Sequence, residues 1–272
     1  MKTATLPVPG ADLYYELRGD GPLLLISQSG EGDARRSSDL VDNLVDRFTV
    51  LTYDRRGLSR STRTDPALPV SPETNADDLH HLLAAVTDEP ALMLGCSLGA
   101  LYGLHLAAAH PGQISTLVAH DPATPGLLPS AERDRVARTL EEISAVHRRD
   151  GWQAAMRRIA AFTGIDMATM KTEPEVTLPP ITPERVTNIE FFLSNDLDGL
   201  AHSTLDAGDV ARTAGTRVIP SAGRDSANAW NHRCAEELAR LLDVPITHFP
   251  GGHNGNTTFP RAFAARLKEV LA

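Results

Sequence analysis

Ser97 stands in the run Gly95-Cys96-Ser97-Leu98-Gly99. An apolar run, Ala91-Leu92-Met93-Leu94, precedes it, and an apolar stretch with helical character follows it as far as His110. A serine flanked by these glycines, entered from a strand and left through a helix, bends the backbone hard around one residue. Its Oγ is then lifted above the strand end, where it can attack a carbonyl carbon. Leu98 opens the helix, so its backbone N–H lies where the helix dipole favours a developing oxyanion. Cys96 falls one residue short of the apex and is expected to pack.

A serine hydroxyl is a weak nucleophile until a base takes its proton. Of the ten histidines, His253 in Phe249-Pro250-Gly251-Gly252-His253 is the candidate. It follows the last predicted strand and precedes the last predicted helix. His80, His81, His105 and His110 fall in predicted helices and read as surface or packing residues. The base needs a carboxylate to orient it, and the order serine–acid–histidine admits two. Asp121 lies in Ala119-His120-Asp121-Pro122, and Asp225 in Gly223-Arg224-Asp225-Ser226. Either position also suits an aspartate that caps a helix or closes a turn. A second oxyanion donor is expected from the loop Ser27-Gln28-Ser29-Gly30-Glu31-Gly32, after the apolar run Leu23–Ile26.

These residues need strands that end at one edge of a sheet. Thr3–Val8 and Asp12–Leu17 alternate around Pro9-Gly10 and read as a hairpin. Leu23–Ile26, Phe48–Tyr53, Ala91–Leu94, Ile114–Ala119, Thr216–Pro220 and Pro245–Phe249 read as strands. Helices are expected up to about Asp46, over Pro72–Thr87 behind the cap Ser71, over Leu98–His110, and over about Asn228–Leu242 and Phe259–Leu271. This alternation predicts a mostly parallel sheet with helices on both faces. It breaks between about Leu127 and Asp209, where helical periodicity recurs at Ala131–His147, Trp152–Phe162 and Arg185–Leu193. Residues 1–126 and 210–272 are therefore expected to form an α/β core, and 127–209 a helical cap. Trp152, Phe191 and Phe192 in that insertion suit either a pocket lining or the packing of a small lid. Asp54, Arg55 and Arg56 are expected to form a turn held by local ion pairs.

The 272 residues carry a formal net charge of −9, which argues against a nucleic-acid partner. Two cysteines make no disulfide framework. The first twenty residues lack the apolar segment of a secretory signal, and no run of eighteen apolar residues occurs. A cytoplasmic protein that spans no membrane is the expectation. No Gly-x-Gly-x-x-Gly follows a strand, and no phosphate-binding Gly-x4-Gly-Lys-Ser/Thr occurs, so no cofactor is expected. No His-Glu-x-x-His or paired ligand spacing suggests a metal.

The elbow, the segment Tyr53-Asp54-Arg55-Arg56-Gly57-Leu58-Ser59-Arg60-Ser61 and the Pro250-Gly251-Gly252-His253 segment resemble the α/β-hydrolase superfamily. Val118-Ala119-His120-Asp121-Pro122 is similar to the segment of a bacterial subgroup with Ala-His-Glu-Pro-Pro at this place, and to the fungal zearalenone-lactone hydrolases. The resemblance covers roughly residues 3–126 and 210–272. It implies the α/β-hydrolase fold and assigns the triad acid to Asp121, one methylene shorter than the family's glutamate, with Asp225 as the alternative. It also implies an oxyanion hole made by the N–H groups of Leu98 and Ser29, with Gly30 next. The expected activity is cleavage of a small-molecule carboxylic ester or lactone through an acyl-enzyme. Carbon–carbon bond hydrolysis, perhydrolysis and non-catalytic small-molecule reception are the alternatives on the same residues. Oligomeric state is not legible.

Overall fold

Successive residues of a strand point to opposite faces of its sheet, so a strand that is apolar throughout must be covered on both sides. Leu24, Leu25 and Ile26 are such a case, each at most 1% exposed. Leu25 joins a core with Leu79, Leu82, Leu101 and Leu238, whereas Leu24 and Ile26 join another with Leu40, Val41 and Phe263. A computed structural model describes residues 1–68, 70–166 and 169–272.

The strands are β1 (Lys2–Val8), β2 (Ala11–Arg18), β3 (Leu23–Ser27), β4 (Thr49–Tyr53), β5 (Thr62–Arg63), β6 (Ala91–Cys96), β7 (Ile114–His120), β8 (Arg217–Gly223) and β9 (Thr247–Phe249). They pair in the order β1-β2-β4-β3-β6-β7-β8-β9, with β5 beside β2. The hairpin β1–β2 is antiparallel and runs antiparallel to β4; from β4 to β9 every pairing is parallel. The helices are α1 (Ser38–Asp42), α2 (Pro72–Val86), α3 (Leu98–Ala109), α4 (Ser130–Asp150), α5 (Trp152–Phe162), α6 (Pro183–Phe191), α7 (Leu197–Ala201), α8 (Ala207–Arg212), α9 (Trp230–Leu242), α10 (Gly255–Thr258) and α11 (Pro260–Val270). Helices α2, α3 and α9 pack on one sheet face, and α1 and α11 on the other. No helix of the described residues is long and apolar enough to cross a membrane.

Local signals hold well. Ser71 caps α2 by accepting from the Thr74 N–H at 3.1 Å, with Pro72 in the first turn. Departures occur where tertiary contacts outweigh pattern. The helix expected up to Asp46 is a tight turn, Ala34–Ser37, followed by the short α1 that stops at Asp42. Asp33 caps that turn through the backbone N–H groups of Arg35 and Arg36. In the insertion, α6 starts two residues earlier than expected, capped by Thr182. It then runs through a π-helical turn, Phe192–Asp196, into α7.

Candidate active site

The parallel strands β3, β6, β7, β8 and β9 all end at one edge of the sheet, the place where open α/β sheets bind ligands. Ser97 follows β6 there with φ 55° and ψ −112°. A non-glycine residue in such a conformation costs about 1–3 kcal/mol and persists only when its surroundings hold it. The Ser97 N–H donates to the His120 carbonyl at 2.9 Å, and the Ser97 carbonyl accepts from the Ala123 N–H at 3.1 Å. The flanking glycines are required by close approach. A Cβ on Gly95 would lie 2.6 Å from the Gly99 carbonyl oxygen, and one on Gly99 would lie 2.0 Å from that of Ser27.

Leu98 is the first residue of α3, so its N–H has no carbonyl within the helix to bond. Leu98, Ser29 and Gly30 line one cavity with Ser97 and His253. The cavity measures about 100 Å³, and its outer wall is apolar, with Leu140, Ile143, Met156 and Ile159 from the insertion. Gly30 packs so closely on the insertion that a Cβ there would lie 2.6 Å from the Phe192 ring.

His253 Nδ1 lies 3.4 Å from Asp121 Oδ2, with side chains 5% and 0% exposed. Neither atom has another hydrogen-bond partner among the described residues. Distances of this kind are long for a hydrogen bond, and in ligand-free sites they tighten when substrate binds. Asp121 is itself held at φ 41°, and its Oδ1 accepts from Ser226 Oγ at 3.0 Å. Burial pushes the Asp121 pKa up, but the facing His253, the neighbouring His120 and the Ser226 hydroxyl outweigh it and hold the carboxyl below its ordinary value. Asp225 is exposed, and its side chain makes no hydrogen bond or ion pair with any described residue; its backbone N–H donates to the Gly251 carbonyl at 3.0 Å. The structure thus brings Ser97, Leu98, Ser29, Gly30, His253 and Asp121 together and leaves Asp225 outside the cavity that holds Ser97.

Cys96 is buried, and burial drives its thiol well above the ordinary range, so it packs beneath the elbow. The cysteine away from the elbow, Cys234, is likewise pushed up by burial, to about 12. His120 has edge contacts with the rings of Phe249 and Phe263, at 5.6 and 5.1 Å between centroids, and burial pushes its pKa down. The expectation of purely local ion pairs at 54–56 is corrected. Only Asp54 pairs locally, with Arg60 at 2.7 Å. Arg56 forms a bidentate pair with Asp78 of α2 at 2.7 and 2.6 Å. Arg55 reaches Asp196 in the π-turn at 3.0 Å, Tyr102 Oη at 2.9 Å and the Gly30 carbonyl. One guanidinium therefore ties the Ser29–Gly30 loop to α3 and to the insertion.

Phe192 lines the inner cavity, and Trp152 lines a larger one of about 940 Å³ outside it. Phe191 instead packs its ring on Gly57, where a Cβ would lie 2.4 Å away, and so joins α6 to the loop after β4. Sequence reasoning missed Arg36, Trp230, Asn231 and Asn254 of the inner wall. Trp230, Asn231 and Asn254 share one signal, a place in the segments that follow β8 and β9 at the same sheet edge, and Arg36 has none.

A sequence description of the alpha/beta hydrolase family matches residues 24–266. The chain belongs to the alpha/beta hydrolase family. Among curated members it is 32% identical to YraK, an uncharacterised hydrolase of Bacillus subtilis, over 100% of this chain and 96% of the relative. Among solved structures it is similar to the enol-lactonase of Burkholderia xenovorans, with 20% identity, a TM-score of 0.71 and 98% of each chain covered. It is also similar to a thermophilic esterase of Thermogutta terrifontis, with 20% identity, a TM-score of 0.75, and 100% and 98% covered. At such identities these two structures speak for the alpha/beta hydrolase fold alone. Family membership and the full-length relative make the chain a hydrolase.

Proposed function

We propose that this hydrolase cleaves a carboxylic ester or lactone through a Ser97–His253–Asp121 triad. The observation that carries the reading is the 3.4 Å approach of His253 Nδ1 to a buried Asp121, beside a strained Ser97 on the wall of the same cavity. Ser97 Oγ attacks the carbonyl carbon while His253 Nε2 takes its proton. The oxyanion rests on the N–H groups of Leu98 and Ser29, with Gly30 shaping the loop. His253 then returns the proton to the departing alkoxide. Water attacks the acyl-enzyme with His253 again as base and frees the acid and Ser97. Asp121 keeps the imidazole in the tautomer with Nδ1–H and stabilises the imidazolium. Residues 127–209 act as a cap over a core of 1–126 and 210–272, and their apolar residues in the cavity wall support that role. Esterase and lactonase activities are named for proteins of the same fold, which supports the choice of bond.

The test is intact-protein mass after fluorophosphonate treatment, with a parallel assay on lactones, linear esters and 1,3-diketones. One adduct on wild type, none on Ser97→Ala, and turnover of an ester or lactone are expected. Turnover of diketones alone would move the protein to carbon–carbon bond hydrolysis. No adduct and no turnover on folded protein would sink the reading.

A further inference from the structure

Three arginines near the site are largely buried, and two of them donate hydrogen bonds to core groups. Arg55 bonds Tyr102, Asp196 and the Gly30 carbonyl, and Arg56 chelates Asp78. Arg36 differs. Its side chain is 17% exposed, yet its guanidinium donates no hydrogen bond to any described residue. Its nearest carboxylate oxygen is Oε1 of Glu31, at 3.9 Å, beyond hydrogen-bond reach. Glu31 is already committed, since Arg185 grips both of its oxygens at 2.6 Å. Asp33, the next carboxylate, is taken by Arg35 and Ser59. Its forked donors therefore keep hydrogen-bonding capacity at the accessible cavity surface, where a planar acceptor can reach them. Burial pushes the Arg36 pKa down.

Arg36 also has a particular place. It lines the inner cavity with Ser97 and His253, and the outer cavity of about 940 Å³ as well. Apart from His253, Arg36 and Glu31 are the only ionisable side chains among the described residues of the inner wall. Met156, Ile159 and Ile165 line both cavities and form an apolar path between them.

We propose that Arg36 binds a carboxylate on the substrate, so that the ester or lactone cleaved here also carries an acid group beyond an apolar spacer. The inference rests on the Ser97 hydrolase reading for the word substrate, but not for the binding itself. A planar carboxylate matches the guanidinium fork with two parallel hydrogen bonds, which a neutral chain cannot supply.

Binding is measured in the Ser97→Ala protein, where no turnover interferes. The probes are monomethyl esters of the straight-chain diacids from succinic to suberic acid, each against the methyl ester of the matching monocarboxylic acid. At least one half-ester is expected to bind roughly ten-fold tighter than its neutral partner or better. Arg36→Gln added to Ser97→Ala is expected to remove that preference, and Arg36→Lys to keep part of it. Thermal unfolding of Arg36→Gln is expected close to the parent temperature, because only a long, partly exposed pair with Glu31 is lost. Equal binding of every pair, no binding of any half-ester, or a preference that survives Arg36→Gln would overturn the inference. Fluorophosphonate labelling of the parent protein judges the hydrolase reading separately, so either can fail without the other.

Discussion

Two neighbouring loops at the same sheet edge each carry an aspartate, and they differ in almost every physical respect. The loop after β7 holds Asp121 at 0% exposure and positive φ, with Oδ1 accepting from Ser226 and Oδ2 facing His253. The loop after β8 holds Asp225 exposed, with a side chain that bonds no described residue. The second loop nonetheless serves the first, because Ser226, next to Asp225, is the residue that donates to Asp121. The comparison teaches that an acid is suited to orient an imidazole by being dry and held, and not by lying in the customary loop. A carboxylate in water is screened and free to turn, whereas a buried one keeps both its charge interaction and its direction.

The strongest way to break this comparison is Asp121→Asn. Turnover of the best ester or lactone is expected to fall by about 10³–10⁴ in kcat with a small change in KM, because the amide favours the wrong tautomer. A loss of that size with Asp225→Asn instead would reverse the assignment. Ser226→Ala comes next: it removes one hydrogen bond to the Asp121 carboxylate, and kcat is expected to drop about ten-fold. An unchanged rate would mean that His253 alone holds Asp121.

Acid sensitivity sharpens the contrast in dryness. Burial depresses the His120 pKa, so its contribution to stability is complete above the unfolded histidine value, about 6.5, and is lost as pH falls through the lower folded value. Asp121 is likewise depressed, so its contribution is complete above about 3.9 and is lost below that. Urea melts from pH 7.5 to 4 are expected to show stability falling below about pH 6.5, and His120→Gln to flatten the first part of that fall. A flat profile in the wild type would contradict the dry environment of the β7 loop. The smallest effect belongs to Asp225→Asn, expected to change kcat less than about two-fold, as surface substitutions away from such features do.

Much of this was legible beforehand, for reasons that can be traced to particular residues. Strand β3 announced itself through an unbroken apolar run, and α2 through Ser71-Pro72 at its start. The elbow was legible because its motif and setting are local, although only Gly95 meets near neighbours, in α3, whereas Gly99 is required by the approach of Ser27 in β3. The partners of Arg55 were not legible. Asp196 lies 141 residues away in the chain, on a π-turn that interrupts what reads as one helix. Arg36 gave no sign either, since a surface arginine and a cavity arginine have the same neighbours in sequence.

Residue pattern, backbone sterics and chain order act between near neighbours, and they alone determined the alternating α/β core, the bend at Ser97, the shelf of strand ends and the two possible acids. Only the tertiary structure decided which aspartate faces His253, which arginine kept free donors at the cavity wall, and how residues 127–209 meet the Ser29–Gly30 loop. Those outcomes depend on where side chains from distant segments point once the sheet has closed up. Burial and distance, which no stretch of sequence contains, set their energies.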